Sequence, residues 1–154
     1  MQKFTRLLET FRDSAIAPAH TIQDQQFGSL RVRFDRHDQL WVLESDFVFL
    51  PGKPKGTLTL ISTKESPLPA HRKAFTEITQ AAETIWTNAT QFLEANPEIN
   101  LPGPLSEKCT IDLVVIPPDP VGEPWELWLE HPRVFWNVVV DFQGLEAVHW
   151  WINA

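Results

Sequence analysis

Residues 66–97 read SPLPAHRKAFTEITQAAETIWTNATQFLEANP. Ser66 before Pro67 has the form of a helix N-cap followed by proline at the first helical position. From there Phe75, Ile78, Ala82, Ile85, Ala89 and Phe92 recur at steps of three and four. That spacing draws one apolar seam along a single helix of about 25 residues. Thr76, Glu77, Glu83, Thr84, Thr87 and Gln91 occupy the opposite side, and Asn96-Pro97 stops the helix. Ala82 and Ala89 are small enough to let such a helix lie close on a sheet.

The flanks supply strands for it. Upstream, 27–35 (FGSLRVRFD) sets Phe27, Leu30, Val32 and Phe34 against Arg31, Arg33 and Asp35, the pattern of a half-buried strand. Residues 40–50 form a second strand, with a bulge expected near Ser45. A Pro/Gly turn over 51–56 leads to a third at 57–62. Downstream, 109–116, 125–130, 134–142 and 145–152 read as four more, the last two joined at Gln143-Gly144. Residues 2–13 place Phe4, Leu7, Leu8 and Phe11 on one stripe of a short helix, and 15–26 reads as a connector. The expected fold is α+β, in one domain over 1–154: a mostly antiparallel sheet of about seven strands, one long helix packed on a face, and a short N-terminal helix.

Composition narrows the function. The chain has 154 residues, with 13 Lys+Arg against 20 Asp+Glu, a formal charge of −7. No basic cluster is present, which argues against nucleic acid and against an anionic membrane surface as partners. No apolar run approaches the roughly 18 residues that cross a bilayer. Charges at Arg6, Glu9, Arg12 and Asp13 interrupt the N-terminus where a signal peptide needs an apolar core. One cysteine permits no intrachain disulfide, so a reducing, cytoplasmic location is expected. The glycine-rich, zinc and hydrolase motifs are all missing from the sequence, and no cofactor or metal is expected.

Lone Cys109, at a strand start, reads as a small buried apolar residue rather than a nucleophile. No two of His20, His37, His71, His131 and His149 stand at a short metal-ligand spacing. A metal site from His131, Asp141 and His149 is the remaining arrangement to test. Glu126 and Glu130 on one strand face stand about 13 Å apart, beyond the roughly 5–9.5 Å used by glycosidase carboxylates.

The informative region is 125–152, which holds five of the seven tryptophans: Trp125, Trp128, Trp136, Trp150 and Trp151. Trp128 lies between Glu126 and Glu130 on a polar strand face, so it is expected to be partly exposed. Two registers compete for the last hairpin. A two-residue Gln143-Gly144 turn sets Val138 opposite His149 and buries the histidine among valines. A three-residue loop sets Asn137 opposite His149 and is favoured. The expected binding face is then Glu126, Trp128, Glu130, Asn137, His149 and Trp151. Tryptophan ringed by polar groups is typical of interface hot spots. The competing reading has these tryptophans as core, covered by the N-terminal helix.

Phe27-Gly28 opening a strand, the strand Gly56-Thr57-Leu58-Thr59-Leu60, the long helix, and the meander ending Val140-Asp141-Phe142-Gln143-Gly144 resemble a group of small bacterial domains. Some of those are immunity-like proteins of polymorphic toxin systems. The resemblance covers about residues 27–152 and implies a protein-binding role with no catalytic residue to transfer. The expected function is a non-catalytic, cytoplasmic, immunity-like binding protein that recognises a basic protein partner through its acidic and tryptophan-rich C-terminal surface. Two alternatives stand beside it. One is a small hydrolase-type enzyme using His149 or His131 with Asp141 or Glu146. The other is a homo-oligomer, a homodimer for example, that uses the tryptophan face for self-association.

Overall fold

The computed structural model describes residues 20–154. The short helix expected over 2–13 lies outside the described residues. The rest corrects the expected architecture. The sheet has eight strands and is mixed, and two helices stand where one was expected.

The strands are β1 (His20–Asp24), β2 (Gly28–Asp35), β3 (Leu40–Phe47), β4 (Gly56–Ser62), β5 (Thr110–Ile116), β6 (Trp125–Glu130), β7 (Asn137–Gln143) and β8 (Glu146–Asn153). They lie in the sheet in sequence order. Every neighbouring pair is antiparallel except β4–β5, which is parallel. That exception follows from the connection. A parallel pair needs a crossover of a dozen or more residues, and here it carries the helices onto one face of the sheet.

The additional strand, β1, falls inside the expected connector. HTIQD holds one apolar residue, Ile22, and so lacks the alternation that marks a strand. Tertiary contacts hold its end instead. The Arg72 guanidinium donates to both Asp24 carboxylate oxygens, at 3.1 and 2.7 Å. This pair holds the Asp24 carboxyl down at about 2.

The seam over 66–97 divides into α1 (Pro69–Gln80) and α2 (Ala82–Glu94). Ala81 leaves helical geometry at φ −110°, ψ 21°, yet Ala81 N–H still donates to Glu77 O and Ile85 N–H to Ala81 O. Neither proline nor glycine stands at the break. The bend is a packing outcome: it lets Ile78, Ala82, Ile85, Ala89 and Leu93 all join the core on the twisted sheet. Ser66-Pro67 is not the cap. The helix opens at Pro69, and the buried His71 ring closes its first turn. His71 Nδ1 accepts from Leu68 N–H at 2.9 Å, so its Nε2 carries the proton and meets Ile61 O at 2.9 Å. Burial pushes this imidazole down to about 4.

One sheet face is helix-covered, with Leu30, Val32, Leu43, Leu58, Leu60, Val114, Ile116, Leu127, Val138, Val140 and Phe142 meeting the helix seam. The other face carries a second apolar cluster: Leu40, Val42, Ile61, Leu113, Val115, Trp128 and Val139, with Trp151 beside it. The register runs unbroken through Ser45, so no bulge lies there; irregularities fall instead at Ile111/Leu113 and at Asp141/Phe142.

Candidate functional site

The second face of the sheet is organised in rows. In an antiparallel ladder directly opposed residues point the same way, about 4.5–5.5 Å apart at Cβ. One row runs Arg31, Glu44, Thr59, Val115, Glu126, Asp141 and His149 across β2 to β8. The adjacent row on β5 to β8 is Leu113, Trp128, Val139 and Trp151. Polar and aromatic rows thus lie side by side.

The hairpin that creates the first row differs from both expected registers. The turn is Gly144-Leu145, with Gln143 opposite Glu146 and Gly144 at φ 61°. A glycine at the first central position suits a two-residue hairpin turn, because its positive φ matches the twist of the strands. One extra residue, Val148, then enters β8 between Ala147 and His149. Asp141 therefore stands opposite His149, and Asn137 opposite Asn153.

The tryptophans hold the carboxylates. Trp128 Nε1 donates to Glu126 Oε1 at 2.9 Å, and Trp151 Nε1 donates to Asp141 Oδ1 at 3.2 Å. The two indoles meet edge to face with centroids 5.6 Å apart. Glu126 Oε2 and Asp141 Oδ2 are buried and have no hydrogen-bond partner among the described residues. Burial pushes the Glu126 carboxyl up to about 7; the Trp128 bond opposes this and the Asp141 charge adds to it. Burial likewise raises Asp141 to about 6, against the Trp151 bond and the His149 charge.

The six residues expected to form a binding face do lie on one face, but they divide by depth. Trp128 is 1% exposed and Glu126 2%, so neither offers contact area, and the expected exposure of Trp128 is corrected. Glu130 and His149 are exposed; Asn137 and Trp151 are half-buried. Asn137 donates from Nδ2 to Asp112 Oδ2 at 3.2 Å and Leu129 O at 3.4 Å. A tryptophan between two glutamates reads as surface from its neighbours alone. Here one of those neighbours is buried with it.

The histidines part company as well. His131 is buried; its Nδ1 accepts from Arg133 N–H at 3.1 Å and its Nε2 meets Pro102 O at 3.0 Å. Both ring nitrogens thus serve loop structure. His131 lies five residues beyond Glu126, about 17 Å along the strand direction, so it does not join Asp141 and His149. Among the described residues no group of three or more metal-ligating side chains converges. Cys109 is buried, and its thiol is pushed up to about 11.

A separate exposed region lies at the end of the sheet. β8 is its last strand, and Val148, His149 and Ile152 on it are exposed. Phe135, in the segment before β7, is 97% exposed. Glu146 is the one charged residue on β8. Sequence alternation gave no hint of this edge, because strand order is not written in any local pattern.

Among the described residues no helix is long and apolar enough to cross a membrane. No protein-family model matches the chain, and no curated protein or solved structure matches it either.

Proposed function

We propose that this chain is a non-catalytic, cytoplasmic, immunity-like binding protein that recognises a basic protein along the outer edge of β8. The observation that carries this reading is the state of that edge. Val148 is 45% and Ile152 41% exposed on β8, the last strand of the sheet among the described residues, and Phe135, before β7, is 97% exposed. A free strand edge offers a row of backbone donors and acceptors to an added strand, and exposed apolar side chains add specificity. Such edges are ordinarily blunted by lysine or proline, and β8 contains neither. The acidic balance of the chain speeds encounter with a basic partner. The surface differs from the one read from sequence: Glu126 and Trp128 drop out, while His149 and Trp151 stay at its margin.

The test compares the wild-type chain with Val148→Lys/Ile152→Lys after expression in the cells that encode it. A basic protein that co-purifies in stoichiometric amount with the wild type and is lost from the variant supports the reading. Equal capture by both, or by neither, overturns it. A homodimer by light scattering that becomes monomeric in the variant would replace it with self-association.

A further inference from the structure

On the helix-covered side, α1, the 117–124 loop and the β7–β8 hairpin enclose a cavity of about 700 Å³. A stripe of α1 lines it at steps of three and four: Ala70, Lys73, Ala74, Glu77 and Ile78. Val121, Trp125 and Leu145 line it from the loop and the sheet end. These walls are tied to one another. Trp125 stacks on Phe142 with centroids 4.6 Å apart and donates from Nε1 to Gly144 O at 2.9 Å. Gln143 Nε2 donates to Val121 O at 2.7 Å, and Asn88 Nδ2 to Leu145 O at 2.9 Å. Three prolines stiffen the loop, and Asp119 closes its turn by accepting from Gly122 N–H through Oδ1 at 3.1 Å. Small-molecule sites are such preformed, mostly apolar cavities, of roughly 300–1,000 Å³. Val121 is 80% and Leu145 42% exposed, so a ligand here would take large apolar side chains out of water.

The charges indicate the class of ligand. Among the described residues, Lys73 and Glu77 are the charged groups that line the cavity; both are exposed and neither side chain is in an ion pair. They stand four residues apart on one face of α1, about 6 Å along its axis. A simple anion at Lys73 meets the Glu77 charge, and a simple cation at Glu77 meets Lys73. A zwitterion pairs with both. An extended dipeptide sets its terminal nitrogen and carboxyl carbon about 6 Å apart, which matches the helical rise. Gln80 and Gln143 also line the cavity and carry amides suited to a peptide bond. We infer that this cavity binds a zwitterionic dipeptide with apolar side chains, its carboxylate on Lys73, its ammonium on Glu77 and its side chains on Ile78, Val121 and Leu145.

This site does not rest on the reading of the β8 edge. Titration of the full chain with Leu-Phe, followed by backbone and indole N–H resonances, tests it. The expected result is saturable shifts at Val121, Trp125 and Leu145, while Val42 and Val115 on the opposite face stay still. N-acetylated Leu-Phe and Leu-Phe amide each lack one terminal charge. In the wild type each should bind about two- to five-fold more weakly, the range for one exposed ion pair. In Lys73→Gln the amide should bind as well as Leu-Phe, and in Glu77→Gln the acetylated form should. Val121→Asp/Leu145→Asp should weaken binding about ten-fold or more, with Leu127 and Val140 resonances unshifted to show that the fold is kept. Absence of saturable shifts overturns the inference, as does unchanged binding by the double aspartate. Terminal blocking that costs the same in the wild type and in both charge variants overturns it too. So does hexanoate binding as tightly as Leu-Phe, because the ligand is then an apolar carboxylate.

Discussion

Glu126 and Asp141 stand directly opposite one another on β6 and β7, each accepting an indole N–H through one oxygen and keeping the other buried without a partner among the described residues. Two neighbouring carboxyls in so dry a place favour protonation, and burial is the first cause for both. The folded chain therefore binds protons that the unfolded chain has already released.

This fixes a sign for pH dependence. Glu126 titrates near 7 in the fold against 4.5 unfolded, and Asp141 near 6 against 3.8. Their contribution is full below the unfolded values and is lost as pH rises through the folded ones. Glu126→Gln/Asp141→Asn should remove on the order of 4 kcal/mol of stability loss between pH 5 and pH 8. Urea midpoints across that range measure it; an unchanged slope refutes the assignment.

His71 pulls the other way. Its folded value near 4 lies below 6.5, so its contribution is present above 6.5 and is lost as pH falls toward 4. The two slopes oppose each other between about 4.5 and 6.5 in the wild type. In the Glu126→Gln/Asp141→Asn chain, stability should rise monotonically from pH 4 to 6.5. In His71→Ala it should fall over that range, with a baseline cost of about 2 kcal/mol from the unpaired Leu68 N–H and Ile61 C=O.

Trp128→Phe separates packing from hydrogen bonding. Phenylalanine fills most of the space but leaves Glu126 Oε1 without its 2.9 Å indole donor. The Glu126 carboxyl should titrate higher than in the wild type, as followed by its carboxyl carbon resonance. Trp128→Ala should cost about 3–5 kcal/mol, the range for a buried large aromatic. A neutral outcome for the alanine variant would contradict the burial of Trp128.

Gly56 marks the parallel junction. A Cβ there would come within 2.8 Å of Ile111 O and 3.0 Å of Asp112 O, both backbone atoms. Gly56→Ala must push β4 and β5 apart at their parallel pairing, and should cost about 1–3 kcal/mol in denaturant midpoint. Gly144→Ala meets no atom and carries only the strain of its positive φ, so it should cost less.

The helix seam, seven of the eight strands and the facing of β6 to β8 were legible as local patterns. The hairpin shows how far such reading carries. The expected register placed Asn137 opposite His149, where the structure places Asp141. Over 137–141 and 149–153 that offset is four residues, an even number, so those side chains kept their face while their partners changed; before the extra Val148 the offset is three, and Ala147 stands opposite Phe142 on the helix-covered side. Asp141 thereby became the neighbour of both Glu126 and His149, which no spacing in the sequence announced. β1 was missed because HTIQD has no alternation to read; its placement depends on long-range contacts such as Arg72 with Asp24.

By itself the sequence determined which residues alternate, which helical side is apolar, and that the chain is acidic with its tryptophans concentrated in 125–151. Those are properties of short windows, set by periods of 2 and 3.6 residues. Only the tertiary structure decided that β4 and β5 run parallel, that the helix bends at Ala81, and that Glu126 and Trp128 lie inside. Burial depends on what distant parts of the chain pack over a face, and alternation is silent about that.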